Sequence, residues 1–136
     1  MDQLLITRKL ESLARCIQRV SERCPPSLEQ LKADIDAQDV LVLNLSRAVQ
    51  LCVDIALHGL ANRQISLPDT MGQAFEALAE AGLLPVDLAA RLRKSVGFRN
   101  LAVHSYEAVR WEIVFAIATE HLDDFKRFAR CSSEWL

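Results

Sequence analysis

The chain has 136 residues, enough for one domain (1–136) with a substantial core. Half of it is apolar, Gly and Pro number four each and the net charge is −2. That balance excludes a disordered or fibrous chain, and it excludes a surface coated in positive charge for nonspecific DNA binding. The first segment repeats Ile6, Leu10, Leu13, Ile17, Val20 and Cys24 at alternating steps of four and three. This is the apolar stripe of an amphipathic helix, and Pro25–Pro26 ends it. Ser27–Leu28–Glu29–Gln30 then either caps a short helix or forms an ordered connection.

From Asp39 to His58 the pattern leaves almost no polar face: Val40, Leu41, Val42, Leu43, Leu45, Val49, Leu51, Cys52, Val53, Ile55 and Leu57 surround the helix. Such a helix is buried on most sides or shared with a second chain. Its remaining polar residues, Arg47, Gln50, Asp54 and His58, step by three, four and four and so form one ribbon. Gly59 reads as the stop. Pro68–Asp69 opens a further helix to about Ala81 with Met71, Phe75, Leu78 and Ala79 inward, and Gly82 ends it. Pro85 starts the next, carrying Leu88, Leu92 and Val96. A closing helix from Glu107 to Arg130 buries Val114, Ala118, His121, Phe125 and Phe128 with Ile113 and Ile117, which makes His121 a core histidine. Trp135 docks the tail. No segment alternates as a strand does. The expected fold is all-α, an up-and-down bundle of four long helices and one shorter piece.

Scattered Cys16, Cys24, Cys52 and Cys131, with no C-x-x-C pair and no metal-like spacing to His, read as reduced thiols, with no metal site. Arg8 and Lys9 fall where a signal peptide needs an apolar run, and VLVL and IVFAIA are too short to span a bilayer. The expectation is a cytoplasmic protein that needs no cofactor. Charge is uneven, however: Arg91, Arg93, Lys94, Arg99 and Arg110 form a basic island interrupted by the single acid Glu107.

Within that island GFRNLAVHSYE (Gly97–Glu107) places Arg99, Asn100, His104 and the only Tyr, Tyr106, inside eight positions. Singly, each residue has an ordinary structural role: a surface ion pair, a polar helix position, a helix-end histidine, an amphipathic rim. Together they carry chemistry. Arg is a permanent charged fork that matches phosphate, and His takes and gives a proton near neutrality. The pair suffices to cleave RNA: His deprotonates the ribose 2′-OH, the freed oxygen attacks the adjacent phosphorus, and Arg stabilises the growing charge. Five helical steps separate Arg99 and His104 by about 140°, so a bend or helix end is needed for them to converge, with Gly97 as a candidate irregularity.

Arg99–Asn100 followed by His104 and Tyr106 resembles the Arg-polar-x-x-x-His signature of the HEPN superfamily, and more closely the HepT ribonuclease toxins with their His-x-Tyr extension. The resemblance covers nearly the whole chain. It implies a dimerising helical bundle with a composite cleft and metal-independent cleavage of RNA to a 2′,3′-cyclic phosphate. It also implies a partner nucleotidyltransferase antitoxin of MntA type that transfers AMP to the motif tyrosine. On this footing Arg99 and His104 are catalytic, Asn100 orients or binds phosphate, and Tyr106 is the acceptor. Asp54 either holds Arg99 or pairs with His58, and Arg47 extends the polar surface or contacts RNA. The competing reading is a noncatalytic module of the same kind that binds nucleotide or the nucleotidyltransferase.

Overall fold

The first four helices start where a short polar side chain satisfies one of their first amides. Asp2 accepts the Leu5 N–H at 3.1 Å and opens α1 (Gln3–Arg23), which stops before the two prolines. Ser27 accepts the Gln30 N–H and caps α2 (Leu28–Lys32), so the short helix forms. Asp34 caps α3 (Ile35–Asn62) through the Ala37 N–H. Thr70 and Gln73 close a reciprocal capping box at the head of α4 (Met71–Glu80), and Gly82 makes the following turn with φ +78°. Pro85 stands immediately before α5 (Val86–His104). A 3₁₀ turn at Tyr106–Ala108 leads to α6 (Trp111–Glu120) and α7 (Leu122–Ser133). The computed structural model describes residues 2–136, and among them no strand is formed.

Helix α3 is the axis of the bundle: α1, α4, α5 and α7 all pack against it. Leu41, Leu45, Val49, Cys52, Val53, Ile55, Ala56 and Leu60 are buried on it, so its low amphipathicity reflects cover on nearly every side. The helix is long and apolar enough to cross a bilayer, with a mean hydropathy of 1.7, yet 56% of that window is buried within the bundle. The α1 stripe meets it as the spacing predicts, with Ile6, Leu13, Ile17 and Val20 buried. Phe75 and Phe128 stack edge to face at 5.9 Å where α4 and α7 meet.

Four expectations are corrected. Gly59 does not stop α3, which continues one turn to Asn62. The closing helix is broken into the 3₁₀ turn, α6 and α7, with the interruption at His121. His121 is therefore no core residue: its side chain is 47% exposed and lies 3.7 Å from Asp124. Gly97 introduces no irregularity, since α5 is helical throughout.

The reason for Gly59 is packing. A Cβ built there lies 2.8 Å from the Trp135 ring, so the absent side chain is the seat for the C-terminal indole. Trp135 also meets Phe128 at 5.9 Å and lies under the Arg63 guanidinium at 5.8 Å. Gly59→Ala is expected to destabilise the fold by about 1–3 kcal/mol through overpacking. In a urea-unfolding double-mutant cycle, Trp135→Leu should recover part of that loss. A helix-interior glycine with open space at its Cβ would instead gain stability, up to about 1 kcal/mol, on substitution by Ala.

Candidate functional site

The motif occupies the exposed C-terminal end of α5. Arg99 and Asn100 are half-buried, and Arg99 Nη1 donates to Asn100 Oδ1 at 3.1 Å, so the amide fixes the fork it follows. His104 is the last residue of the helix and is exposed. Ser105 leaves helical geometry at φ −150°, ψ 59° and turns the chain into the 3₁₀ segment that presents Tyr106. Because α5 stays helical, Arg99 and His104 keep an angular offset of about 140° and an axial one of about 7.5 Å. The helix does not converge them on its own.

Tyr106 is pinned across the bundle. Its hydroxyl donates to Asp39 Oδ1 on α3 at 2.6 Å, and its ring meets Trp111 edge-on at 6.2 Å. Partial burial and this bond to a carboxylate push the phenol up to about 12. The side chain is nevertheless 39% exposed, so its oxygen is tethered and still reachable.

The other anticipated site residues lie apart from the motif. Asp54 holds neither Arg99 nor His58: it accepts from Gln50 at 2.9 Å and from Lys9 at 3.2 Å. The α1–α3 pairing places Lys9 opposite Asp54, and together with Gln50 it gives each carboxylate oxygen a partner without α5. Arg47 is exposed and lines a cleft of about 550 Å³ between α1 and α3, together with Arg15, Arg19, Ser12, Asn44 and Gln50. The basic island is partly neutralised: Arg91 pairs with Asp87 and Asp124, and Arg93 with Glu76.

Asp39, Arg15 and Arg19 were not singled out from the sequence. Nothing local points to Asp39, whose partner is 67 residues away. Arg15 and Arg19 did carry a signal, since with Ser12 they lie three and four apart on the side of α1 away from its apolar stripe. Among the described residues, no group of three His, Cys, Asp or Glu is assembled that could hold a metal ion.

The fold and this intact motif define a HEPN-type helical protein, and comparison with known proteins makes the assignment specific. The family described as "HepT-like: Ribonuclease HepT-like" matches residues 13–132, and the chain belongs to it. The mRNA nuclease HepT of Shewanella oneidensis is 36% identical over 124 residues, which is 91% of this chain and 92% of that protein. The tRNA nuclease HepT of Aphanizomenon flos-aquae is 24% identical over 136 residues, covering 100% of this chain and 92% of that one. A solved structure of the tri-AMPylated Shewanella oneidensis HEPN toxin, in complex with its MNT antitoxin, superposes with a TM-score of 0.90 at 34% identity. The superposition covers 98% of this chain and 99% of that one.

As the sole tyrosine, Tyr106 reports on its own environment. Near-ultraviolet titration should show the phenol ionising close to 12, with Asp39→Asn moving the transition down towards the ordinary value of 10.0. Folding holds the proton more tightly than the unfolded chain does. The stabilisation from this bond is therefore present below the ordinary value and is lost as the pH rises through the folded one. A transition unmoved in Asp39→Asn would mean that the bond is not what raises it.

Proposed function

We propose that this protein is a metal-independent endoribonuclease, the toxin of a cytoplasmic toxin–antitoxin pair, silenced by nucleotidyl transfer to Tyr106. The carrying observation is the intact Arg99–Asn100, His104, Tyr106 set at the exposed end of α5. It stands in a chain that aligns over nearly its full length with a toxin whose AMPylated form has been solved. His104 takes the 2′-hydroxyl proton of the RNA, and the alkoxide attacks the neighbouring phosphorus. The 5′-oxygen leaves and a 2′,3′-cyclic phosphate remains. Arg99, oriented by Asn100, stabilises the charge on the phosphoryl oxygens. The nucleophile comes from the substrate, so no Ser or Cys of the protein is needed and DNA is inert.

The helical offset between Arg99 and His104 supports a composite site made with a second copy. Lys94, Gly97, Leu101 and His104 share one exposed line on α5. No atom lies within 4 Å of the space a Cβ would fill at Gly97, so a partner helix can approach closely there. A homodimer brings two such lines together and supplies a second histidine for the leaving oxygen.

For silencing, the Tyr106 oxygen attacks the α-phosphorus of ATP and pyrophosphate leaves. The phenolic proton passes to Asp39, which already accepts it in a hydrogen bond. The antitoxin is the nucleotidyltransferase that positions the ATP. The product places a bulky anion next to His104 and repels RNA.

Purified protein with RNA in EDTA should yield cyclic-phosphate ends, and His104→Ala or Arg99→Ala should slow the reaction by roughly 10²- to 10⁴-fold. Undiminished cleavage by His104→Ala would sink the mechanism. After co-expression with the nucleotidyltransferase, intact mass should show AMP additions that vanish in Tyr106→Phe. In the same assay Asp39→Asn should slow incorporation by roughly 10- to 100-fold.

A further inference from the structure

The cleft between α1 and α3 has no part in the chemistry described so far. Arg15 and Arg19 enter it from α1 and Arg47 from α3, over a floor that includes Ser12, Asn44 and Gln50. None of the three guanidiniums forms an ion pair with any described residue, whereas Arg91, Arg93, Arg110 and Arg127 all do. Arg15 donates only to the neutral Ser12 hydroxyl at 2.9 Å. The nearest acid on this stretch of α3, Asp54, is already taken by Gln50 and Lys9. Three positive charges that converge without a counter-ion repel one another, and they accept a polyanion readily.

The lining also says what kind of polyanion fits. No aromatic ring lines the cleft, so there is no platform on which a base could stack. Arginine forks read phosphate oxygens, and the floor amides and hydroxyl suit sugar and phosphate rather than base edges. At about 550 Å³ the cleft is open and has room for a phosphate group among the three forks.

Its position ties it to the motif. Asp39, Leu43 and Arg47 follow one another at four-residue spacing on the exposed side of α3, so they form one surface line. That line runs from the residue that holds Tyr106 to the cleft, a rise of about 12 Å along the helix. α1 flanks it at Arg47, and Tyr106 on the 3₁₀ turn after α5 reaches it at Asp39.

We propose that Arg15, Arg19 and Arg47 form a sequence-independent subsite for the phosphodiester backbone of a single-stranded RNA whose scissile bond lies at the α5 motif. This rests on the ribonuclease reading above and adds where the flanking nucleotides run. It accounts for affinity without base recognition, since every contact is to backbone.

The test is RNA binding at several salt concentrations, read by fluorescence anisotropy of a labelled mixed-sequence single strand. The full chain carries His104→Ala so that the probe stays intact. Adding Arg15→Gln and Arg19→Gln removes two phosphate contacts, which should lower the slope of log K against log salt by about 1.4. Arg15→Lys with Arg19→Lys keeps the charges and should keep most of the slope. A charge-matched control on α7, Lys126→Gln with Arg130→Gln, should leave it unchanged. Equal slopes in the cleft variant and its parent would overturn the proposal, and so would an equal loss in the α7 control. An unchanged slope combined with lost binding to the nucleotidyltransferase would overturn it too, assigning the cleft to a protein partner. The ribonuclease reading is judged separately, by whether the unsubstituted chain cleaves RNA in EDTA.

Discussion

The architecture depends on covering α3. A 28-residue helix with apolar side chains on nearly every side has no stable place in water alone, and burial of each large side chain contributes about 1.5–3 kcal/mol. The surrounding helices, chiefly α1, α4, α5 and α7, supply that cover, and along the middle of the helix they leave a line open from Asp39 through Leu43, Arg47 and Gln50 to Asp54. The features with chemical potential adjoin this line. Tyr106 is bonded to its first residue, the arginine cleft opens at its middle, and Lys9 closes its far end on Asp54. Along its middle, this line is the part of the axial helix that the fold leaves open.

The motif gains its geometry from a helix end rather than from a kink. Ser105 breaks the helix, and the 3₁₀ turn swings Tyr106 back towards α3, where Asp39 and Trp111 hold it from two sides. This tether also has a consequence for modification. A phenol esterified through its oxygen has no proton to donate, so the Asp39 bond is lost and a carboxylate is left facing a new phosphate. Like charges at that range repel. If Tyr106 is the acceptor, as proposed, modification would add charge and also loosen the turn that joins α5 to α6, one residue beyond Ser105 and two beyond His104.

Periodicity carried most of the bundle into view because amphipathic helices register burial directly. The stripes of α1, α4 and α5 emerge with the residues expected on them, and the prolines fall within three residues of the observed boundaries. Gly59 and His121 misled, since their settings depend on parts of the chain that local spacing does not reveal. Gly59 looks like a helix end but makes room for Trp135, which is 76 positions on. His121 looks like a core position on one unbroken helix, and it becomes exposed once α6 and α7 separate there. The motif was legible as a local string. Its anchor on Asp39 and the arginine pair facing Arg47 were not, because both arise only when helices are brought side by side.

Net charge proved a poor guide to where anions can bind. The acidic balance of −2 conceals the difference between the island along α5, whose Arg91 and Arg93 are spent on carboxylates, and the α1–α3 cleft, whose three arginines are not. Exposed ion pairs of the first kind contribute about 0–1 kcal/mol to stability and present little field. Unpaired guanidiniums in a concave surface focus it. On the reading proposed above, a backbone-reading cleft set apart from a reactive helix end divides the work: affinity comes from charge along α3, and the chemistry from Arg99 and His104. A relative that acts on mRNA and another that acts on tRNA fit one fold under that division, because RNA choice then turns on what the strand can thread past rather than on which bases a pocket reads.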